Sequence, residues 1–256
     1  MNRIESLFKK KQNGILSIYF TAGFPQLNDT LSVIRNLEES GVDMLEIGFP
    51  FSDPLADGPV IQHSSFKAIE NGMTLTLLFE QLKDARQHTQ MPLVLMGYMN
   101  PVLQYGEKNF IKKCKEVGID GVILPDMPLD YFERELNSVF LENDILNILL
   151  ITPETSEKRI KYIDQLSKGF VYMVSSNSIT GGKNNMDLQT NYFSRINNMR
   201  LKNPTLTGFG IRDHQTYKTA CQYSNGAIIG TAFIQHIAEH GVEKNSIQSF
   251  IKKLRK

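Results

Sequence analysis

The chain lacks the features that mark secreted, membrane-spanning or nucleic-acid-binding proteins. It has two cysteines and no tryptophan in 256 residues, and neither Cys114 nor Cys221 belongs to a CxxC motif. We therefore expect no disulfide framework, and we expect a reducing, cytoplasmic location. No apolar run approaches the roughly 18 residues of a membrane span, so no membrane association is expected. The N-terminal MNRIESLFKKK is amphipathic and polar, unlike a signal peptide.

The charge of the chain has no excess of either sign. Lys and Arg number 28 against 27 Asp and Glu, a net charge of +1. No basic footprint for nucleic acid is present, so we expect no nucleic-acid partner. Hydrophobic residues make up 41% and charged residues 21%, as in an ordinary globular protein that needs no disulfide or metal to fold.

Short apolar runs alternate with amphipathic segments along the whole chain. The runs are nearly continuous in hydrophobicity, which is typical of parallel strands buried on both faces. Eight such units without a low-complexity linker predict an α/β fold, a (β/α)₈ TIM barrel with a short N-terminal helix, as one domain over residues 1–256. A doubly wound open sheet is the alternative. The predicted strands are Ile15–Thr21, Met44–Phe49, Leu93–Tyr98, Gly121–Leu124, Ile145–Ile151, Phe170–Val174, Thr205–Phe209 and Ala227–Ile229.

The clearest helical patterns each end before a glycine. Such a glycine can take the left-handed conformation that terminates a helix just before a buried strand. The predicted helices are Asn28–Ser40, Glu107–Val117 and Ser156–Lys168. The junction glycines are Gly41, Gly118, Gly169 and Gly226.

A carboxylate interrupts one of the predicted strands. Glu46 stands between Leu45 and Ile47, so alternation along the strand turns it to the opposite side, toward either the barrel interior or the helices. Burial there costs several kcal/mol unless the carboxyl is paired or protonated, and it raises the pKa. Glu46 is therefore either a catalytic group or a buried structural carboxyl with a hydrogen-bonded partner.

The loop after this strand contains Asp53 and Asp57 among Pro50, Pro54 and Pro59. Prolines stiffen a loop, which suits either a pre-positioned side chain or a docking surface. Functional groups of barrels gather at the carboxyl ends of the strands, which is where this loop begins. Ordinary turn chemistry could also account for either aspartate.

Glycines follow the last three predicted strands, at Gly181, Gly210 and Gly230, with Thr231 after the last. Glycines before a helix start are how barrels build phosphate sites from backbone N–H groups, although each one alone could be a turn glycine. No strand ends in a lysine for a Schiff base, and no His/Asp/Glu cluster recurs for a metal. What remains is acid/base chemistry on a phosphorylated small molecule, without metal or cofactor. A sugar-phosphate isomerase or epimerase and a non-catalytic, regulatory phosphate-binding barrel stay open on these residues.

Residues 45–62 read LEIGFPFSDPLADGPVIQ, which resembles the signature of the tryptophan synthase alpha subunit family. The resemblance continues in YFTAG at 19–23, PDMP at 125–128, TG at 180–181, GFGI at 208–211 and GT at 230–231. It implies a barrel that cleaves indole-3-glycerol phosphate into indole and glyceraldehyde 3-phosphate. It also implies a partner, the PLP-dependent beta subunit of an alpha-beta-beta-alpha heterotetramer, with no cofactor in this chain. A free-standing indole-glycerol phosphate lyase is the closest variant.

The resemblance implies a role for individual residues as well. It makes Glu46 and Asp57 catalytic, Glu46 as a protonated acid that can also serve as the base, and Asp57 as an ionised acceptor for the indole N–H. Asp53 and Pro54 fall in the loop that would meet the partner. Residues at substrate-binding positions are Tyr19, Ile61, Met96, Ile123, Tyr172, Thr180 and Phe209. Residues at phosphate positions are Gly181, Gly210, Gly230 and Thr231.

The chain departs from the family pattern at a few of these places. Tyr19 stands where phenylalanine is frequent, and Thr231 where serine is. Ser178 replaces a usual glycine, and Phe24 replaces a common aspartate. None of these changes removes a group that the proposed chemistry requires.

Overall fold

The computed structural model describes residues 1–175, 184–208 and 210–256. Its parallel strands form one sheet in the order β5-β4-β3-β2-β1-β9-β8-β7-β6. The two ends of this order, β5 and β6, are consecutive pieces of one chain segment separated by a single residue, so the sheet closes on itself as an eight-membered barrel. The predicted TIM barrel is confirmed. The strands are β1 Ile15–Thr21, β2 Met44–Gly48, β3 Leu93–Met96, β4 Gly121–Ile123, β5 Leu146–Asn147, β6 Leu149–Ile151, β7 Val171–Val174, β8 Thr205–Gly208 and β9 Gly226–Ile229.

Helices surround the barrel, and the three predicted from periodicity are confirmed to within two residues at each end. No helix in the described part of the chain is both long and apolar enough to cross a bilayer. A 3₁₀ turn at Ala85–Gln87 and a π turn at Phe132–Leu136 accompany the α-helices. The α-helices of the described residues are α1 Arg3–Lys10, α2 Thr30–Glu39, α3 Pro59–Glu70, α4 Leu75–Leu82, α5 Met99–Tyr105, α6 Glu107–Glu116, α7 Leu129–Tyr131, α8 Asn137–Glu142, α9 Glu157–Leu166, α10 Asn184–Met199, α11 His214–Tyr223, α12 Thr231–His240 and α13 Lys244–Arg255.

Alternation along β2 separates the two layers of the core. Leu45 and Ile47 pack into the outer cluster under the helices, whereas Met44 lies in the inner cluster of the barrel. Glu46 shares the face of Met44 and is fully buried. The side chain that the sequence left between two orientations therefore points into the barrel.

The short helix α1 covers the amino-terminal end of the barrel. Ile4 is fully buried in the inner cluster and lies against the starts of β4 and β7, since a Cβ added at Gly121 or Gly169 would meet it at 2.9 or 3.1 Å. The Asn2 side-chain amide donates to the backbone oxygen of Asp120 at 2.9 Å. The amino-terminal end is thus closed, and the opposite end is left for ligands.

The junction glycines follow the prediction at three of four places. Gly41, Gly118 and Gly169 have φ of 78°, 80° and 85°. The prediction is wrong for Gly226, which is the first residue of β9 and is not left-handed. A Cβ at Gly226 would collide with the backbone carbonyl of Ile15, so close approach of β9 to β1 requires glycine here.

Candidate active site

Glu46 lies in β2 with its carboxyl group sealed from water. The Ser17 hydroxyl donates to Oε1 at 3.1 Å, and both residues are fully buried. The other oxygen, Oε2, has no hydrogen-bond partner among the described residues. Burial raises the pKa of Glu46 to about 8, against the opposing effect of the Ser17 hydrogen bond. The carboxyl is therefore mostly protonated at neutral pH, with one oxygen available.

Asp57 lies at the end of the loop between β2 and α3 and is partly buried. The Tyr98 hydroxyl donates to its Oδ2 at 2.9 Å. Burial raises the pKa of Asp57 and the Tyr98 hydrogen bond opposes that rise. The expected contrast between a protonated Glu46 and an ionised Asp57 is thus one of degree, because burial raises the pKa of both carboxyl groups and isolates Glu46 more completely.

The proline-rich loop is fastened to both of its neighbours. From α3, the Gln62 side-chain amide donates to the backbone oxygen of Asp57 at 2.9 Å. Ser65 accepts from the backbone N–H of Phe51 at 2.9 Å and donates to its oxygen at 3.0 Å. From the turn between β3 and α5, Tyr98 binds the Asp57 carboxylate directly. These contacts tie the loop to α3 and to the turn after β3.

Two cavities open side by side at the carboxyl ends of the strands, with volumes of about 600 and 320 Å³. Both are lined by Tyr19, Asp57, Ile61 and Met96. The larger cavity is also lined by Tyr172 and by residues of the last two βα units, both polar, such as Arg212 and Thr231, and apolar, such as Ile228. The smaller cavity is lined mainly by aromatic and aliphatic side chains such as Phe49 and Leu150.

The structure brings most of the candidate site residues together at these cavities. The larger one holds the candidate phosphate residues Gly210, Gly230 and Thr231. Neither Glu46 nor Ile123 lines either cavity. Both side chains are fully buried in the barrel interior, and Ile123 belongs to the inner cluster. Asp53 is exposed on the loop, and Pro54 lines the smaller cavity. Thr180, Gly181 and Phe209 lie outside the described residues.

Tyr19 and Tyr172 each lie over a glycine of the neighbouring strand. A Cβ at Gly48 would collide with the Tyr19 phenol, and a Cβ at Gly208 would collide with that of Tyr172. Burial, followed by the nearby carboxyl groups, raises the pKa of both phenols, so they are neutral at physiological pH. The two rings therefore act as uncharged walls of the larger cavity.

The polar side of the larger cavity is the start of α12. The helix begins at Thr231 directly after Gly230, so its first backbone N–H groups lack intrahelical partners and favour an anion. Arg212 also lines this cavity, with its side chain 79% exposed. A positive group at the rim and a helix N-terminus beside it suit a phosphate.

Sequence reasoning did not single out three of these residues. Ser17 had a usable signal, since it is polar within an apolar strand, as Glu46 is. Arg212 had a weaker one, a cation two residues beyond Gly210. Tyr98 had none, because its role depends on a turn that the sequence predicted as strand.

The potential metal ligands and the thiols of the described ranges form no cluster. No three His, Cys, Asp or Glu side chains there are grouped closely enough to hold a metal ion. Cys114 is buried and Cys221 is partly buried, and both are free thiols.

Comparison with known proteins decides the family. The family model described as tryptophan synthase alpha chain matches residues 6–256. The chain belongs to this family. A tryptophan synthase alpha chain from Flavobacterium psychrophilum is 55% identical over 99% of this chain and 100% of that one.

Solved structures of the tryptophan synthase family share the fold. The alpha subunit from Pyrococcus furiosus matches 95% of this chain and 98% of that chain with a TM-score of 0.86 and 32% identity. A tryptophan synthase chain from M. tuberculosis matches 100% of this chain and 98% of that one, with a TM-score of 0.87 and 25% identity. The resemblance drawn from residues 45–62 is confirmed. The protein is a lyase of tryptophan biosynthesis that cleaves indole-3-glycerol phosphate to indole and glyceraldehyde 3-phosphate.

Proposed function

We propose that Glu46 and Asp57 carry out this cleavage, with the substrate lying across the two cavities. The observation that carries the proposal is the fully buried Glu46 with an unpartnered Oε2, in register with Tyr19, which lines both cavities. Asp57 lines both cavities as well. Two carboxyl groups with different proton affinities at one site are what general acid/base chemistry requires.

The chemistry needs one proton delivered and one removed. Glu46 donates a proton to C3 of the indole ring, which gives a cationic ring that Asp57 stabilises through its N–H. The side-chain hydroxyl beside C3 then loses its proton to the Glu46 carboxylate and becomes the aldehyde of glyceraldehyde 3-phosphate. The carbon–carbon bond breaks, and its electron pair restores the neutral indole. Glu46 ends the cycle protonated, as it began.

The cavities divide the substrate between them. The aromatic and aliphatic lining of the smaller cavity suits the indole ring, and the start of α12 with Gly210, Gly230 and Thr231 suits the phosphate. By family resemblance, Gly181 joins the phosphate site, and Thr180 and Phe209 join the substrate site. Tyr172 lines the larger cavity and, by family resemblance, joins the substrate site.

The test is the substitution Glu46→Gln, which keeps the shape of the side chain but cannot deliver a proton. We expect indole release from indole-3-glycerol phosphate to fall by about 10²–10⁴-fold, the usual contribution of a positioned acid or base. Substrate binding, measured by calorimetry, should persist. A variant that keeps a tenth of the wild-type rate would remove Glu46 from the mechanism.

A beta subunit is the proposed partner, in an alpha-beta-beta-alpha assembly that carries PLP only in the partner. The family to which the chain belongs supports this proposal. The exposed part of the proline-rich loop, with Asp53 and the 88% exposed Leu55, is where we propose that the partner docks. The two free thiols support a reducing compartment, and we propose the cytoplasm.

A further inference from the structure

Ser17 is a polar residue buried in the apolar interior of the barrel. It lies in the middle of β1, in register with Met44 of β2 and Ile228 of β9, and it is fully buried. A hydroxyl group in such surroundings is costly unless it is hydrogen-bonded. Its described partner is Oε1 of Glu46, at 3.1 Å.

This hydrogen bond distinguishes the two oxygens of Glu46. The carbonyl oxygen of a neutral carboxyl group is a better acceptor than its O–H oxygen, so a hydroxyl that donates to Oε1 favours the form with the proton on Oε2. Oε2 is the oxygen without a described partner. We propose that Ser17 is the positioning residue of Glu46: by donating to Oε1 it makes Oε2 the oxygen that exchanges the proton with the substrate. The proposal rests on the catalytic role of Glu46 proposed above.

The Ser17 hydroxyl also affects the pKa of Glu46. The phenols of Tyr19, from β1, and Tyr172, from β7, interact with the Glu46 carboxyl, and both are neutral. Asp57 lies in the loop above, and the remaining inner-cluster side chains are apolar. Burial raises the pKa of Glu46, and the Ser17 hydroxyl is the described group that opposes the rise. Loss of this hydroxyl should therefore raise the pKa further.

A purely structural role predicts something else. If Ser17 only fills space and satisfies its own hydroxyl, then its replacement lowers stability and leaves the pH dependence of catalysis unchanged. Thr and Val at position 17 separate the two roles, because they have nearly the same volume and only Thr keeps a hydroxyl. Ser224 supplies a matched control, since it is also a buried serine with a hydrogen-bonded hydroxyl but lies away from Glu46, beside Thr207.

The experiment compares Ser17→Thr, Ser17→Val and Ser17→Ala with the wild type in indole release from indole-3-glycerol phosphate across pH. We expect Ala and Val to lower kcat by about tenfold, as a catalytic group loses its orientation. In the same two variants, the part of the kcat/KM-against-pH profile that reports the titration of Glu46 should move to higher pH by about one unit. Thr should restore both. Ser224→Ala should leave both unchanged.

A second measurement does not depend on turnover. The difference in unfolding free energy between each Ser17 variant and its Glu46→Gln double mutant, followed against pH, reports the titration of Glu46 in the folded chain. This titration should extend to higher pH in the Val background than in the Thr background. Identical profiles for Val, Thr and wild type in both measurements would overturn the Ser17 proposal. Activity surviving in Glu46→Gln itself would instead overturn the catalytic assignment.

Discussion

Glu46 carries a cost that shows in the stability of the fold. Its pKa is about 8 in the folded chain, because burial disfavours the charged form, against 4.5 as the ordinary value. Below pH 4.5 Glu46 is protonated in both the folded and the unfolded state, and its burial costs no stability through loss of charge. Between 4.5 and 8 the unfolded state has lost its proton and the folded state has kept it, so stability falls as pH rises.

Glu46→Gln should therefore be more stable than the wild type at neutral pH. The advantage should grow by about 1.4 kcal/mol for each pH unit across that window, to a few kcal/mol at most. Urea unfolding at a series of pH values from 5 to about 8 measures the difference. A constant difference across this range would show that Glu46 is not buried as a neutral acid.

Gly230 offers a prediction about the phosphate. A Cβ there would come within 3.2 Å of the Tyr19 ring, at the start of α12. Gly230→Val should therefore raise KM more than it lowers kcat, and it should weaken competition by inorganic phosphate. Steady-state kinetics with and without phosphate provide the measurement. Ala238→Val, on the exposed face of the same helix, is the control, and equal KM values in the two variants would place the phosphate elsewhere.

The elements show where sequence reasoning works and where it stops. β1 was predicted to the residue, since apolar runs define buried strands. The predicted strand Leu93–Tyr98 ends instead at Met96, because Tyr98 becomes the residue that caps α5. The Asp126 carboxylate accepts from the next backbone N–H, of Met99, at 3.0 and 3.1 Å. Contacts of this kind join distant segments, so no local pattern reveals that Tyr98 binds Asp57.

The proline-rich loop is where we expect a docked partner to change the rate of the alpha reaction. If docking of a beta subunit orders this loop, the alpha reaction should accelerate by one or more powers of ten, about 1.4 kcal/mol for each. Pro54 lines the smaller cavity, so Asp53, which is exposed, gives the clean variant. Asp53→Ala should weaken the acceleration and leave the rate of the isolated chain unchanged.

Indole release with and without the beta subunit measures this effect. Glu5→Ala, an exposed carboxylate on α1 at the opposite end of the barrel, is the matched control. Equal rates with and without bound partner would make the chain an autonomous lyase.

At the scale of the whole molecule, stability and chemistry lie at opposite ends of the barrel. The amino-terminal end is held by Ile4 and by Asp120, which pairs with Arg3 at 3.0 Å and Arg86 at 2.6 Å. Ile4→Ala should lower the free energy of unfolding by about 2–4 kcal/mol and leave kcat unchanged at temperatures where the chain stays folded.

Denaturant unfolding and indole release measure these two effects. Ile69→Ala is the control, since that isoleucine is 40% exposed on α3 and should cost less than about 1 kcal/mol. A fall in kcat for Ile4→Ala would show that the two ends are coupled.

The barrel itself was predictable because strand and helix periods alternate throughout, and Glu46 was predictable because a carboxylate among Leu45 and Ile47 violates that pattern. The gap between β5 and β6 was not, since the apolar run Ile145–Ile151 is continuous in sequence. Nor was the volume of either cavity, which depends on how Tyr19 and Tyr172 fold over glycines of neighbouring strands. Packing between strands is information that a single strand does not contain.

The two adjoining cavities bear on how ligands for this site are assembled. Because, among the described residues, the two cavities share only Tyr19, Asp57, Ile61 and Met96, an aromatic fragment and an anionic fragment have room to occupy the site together. A tether between two such fragments turns the second association into an intramolecular one, at an effective concentration on the order of millimolar for a short flexible link. The affinities of a weak aromatic binder in the smaller cavity and a weak anionic binder in the larger cavity therefore combine multiplicatively when the two are joined across these four side chains.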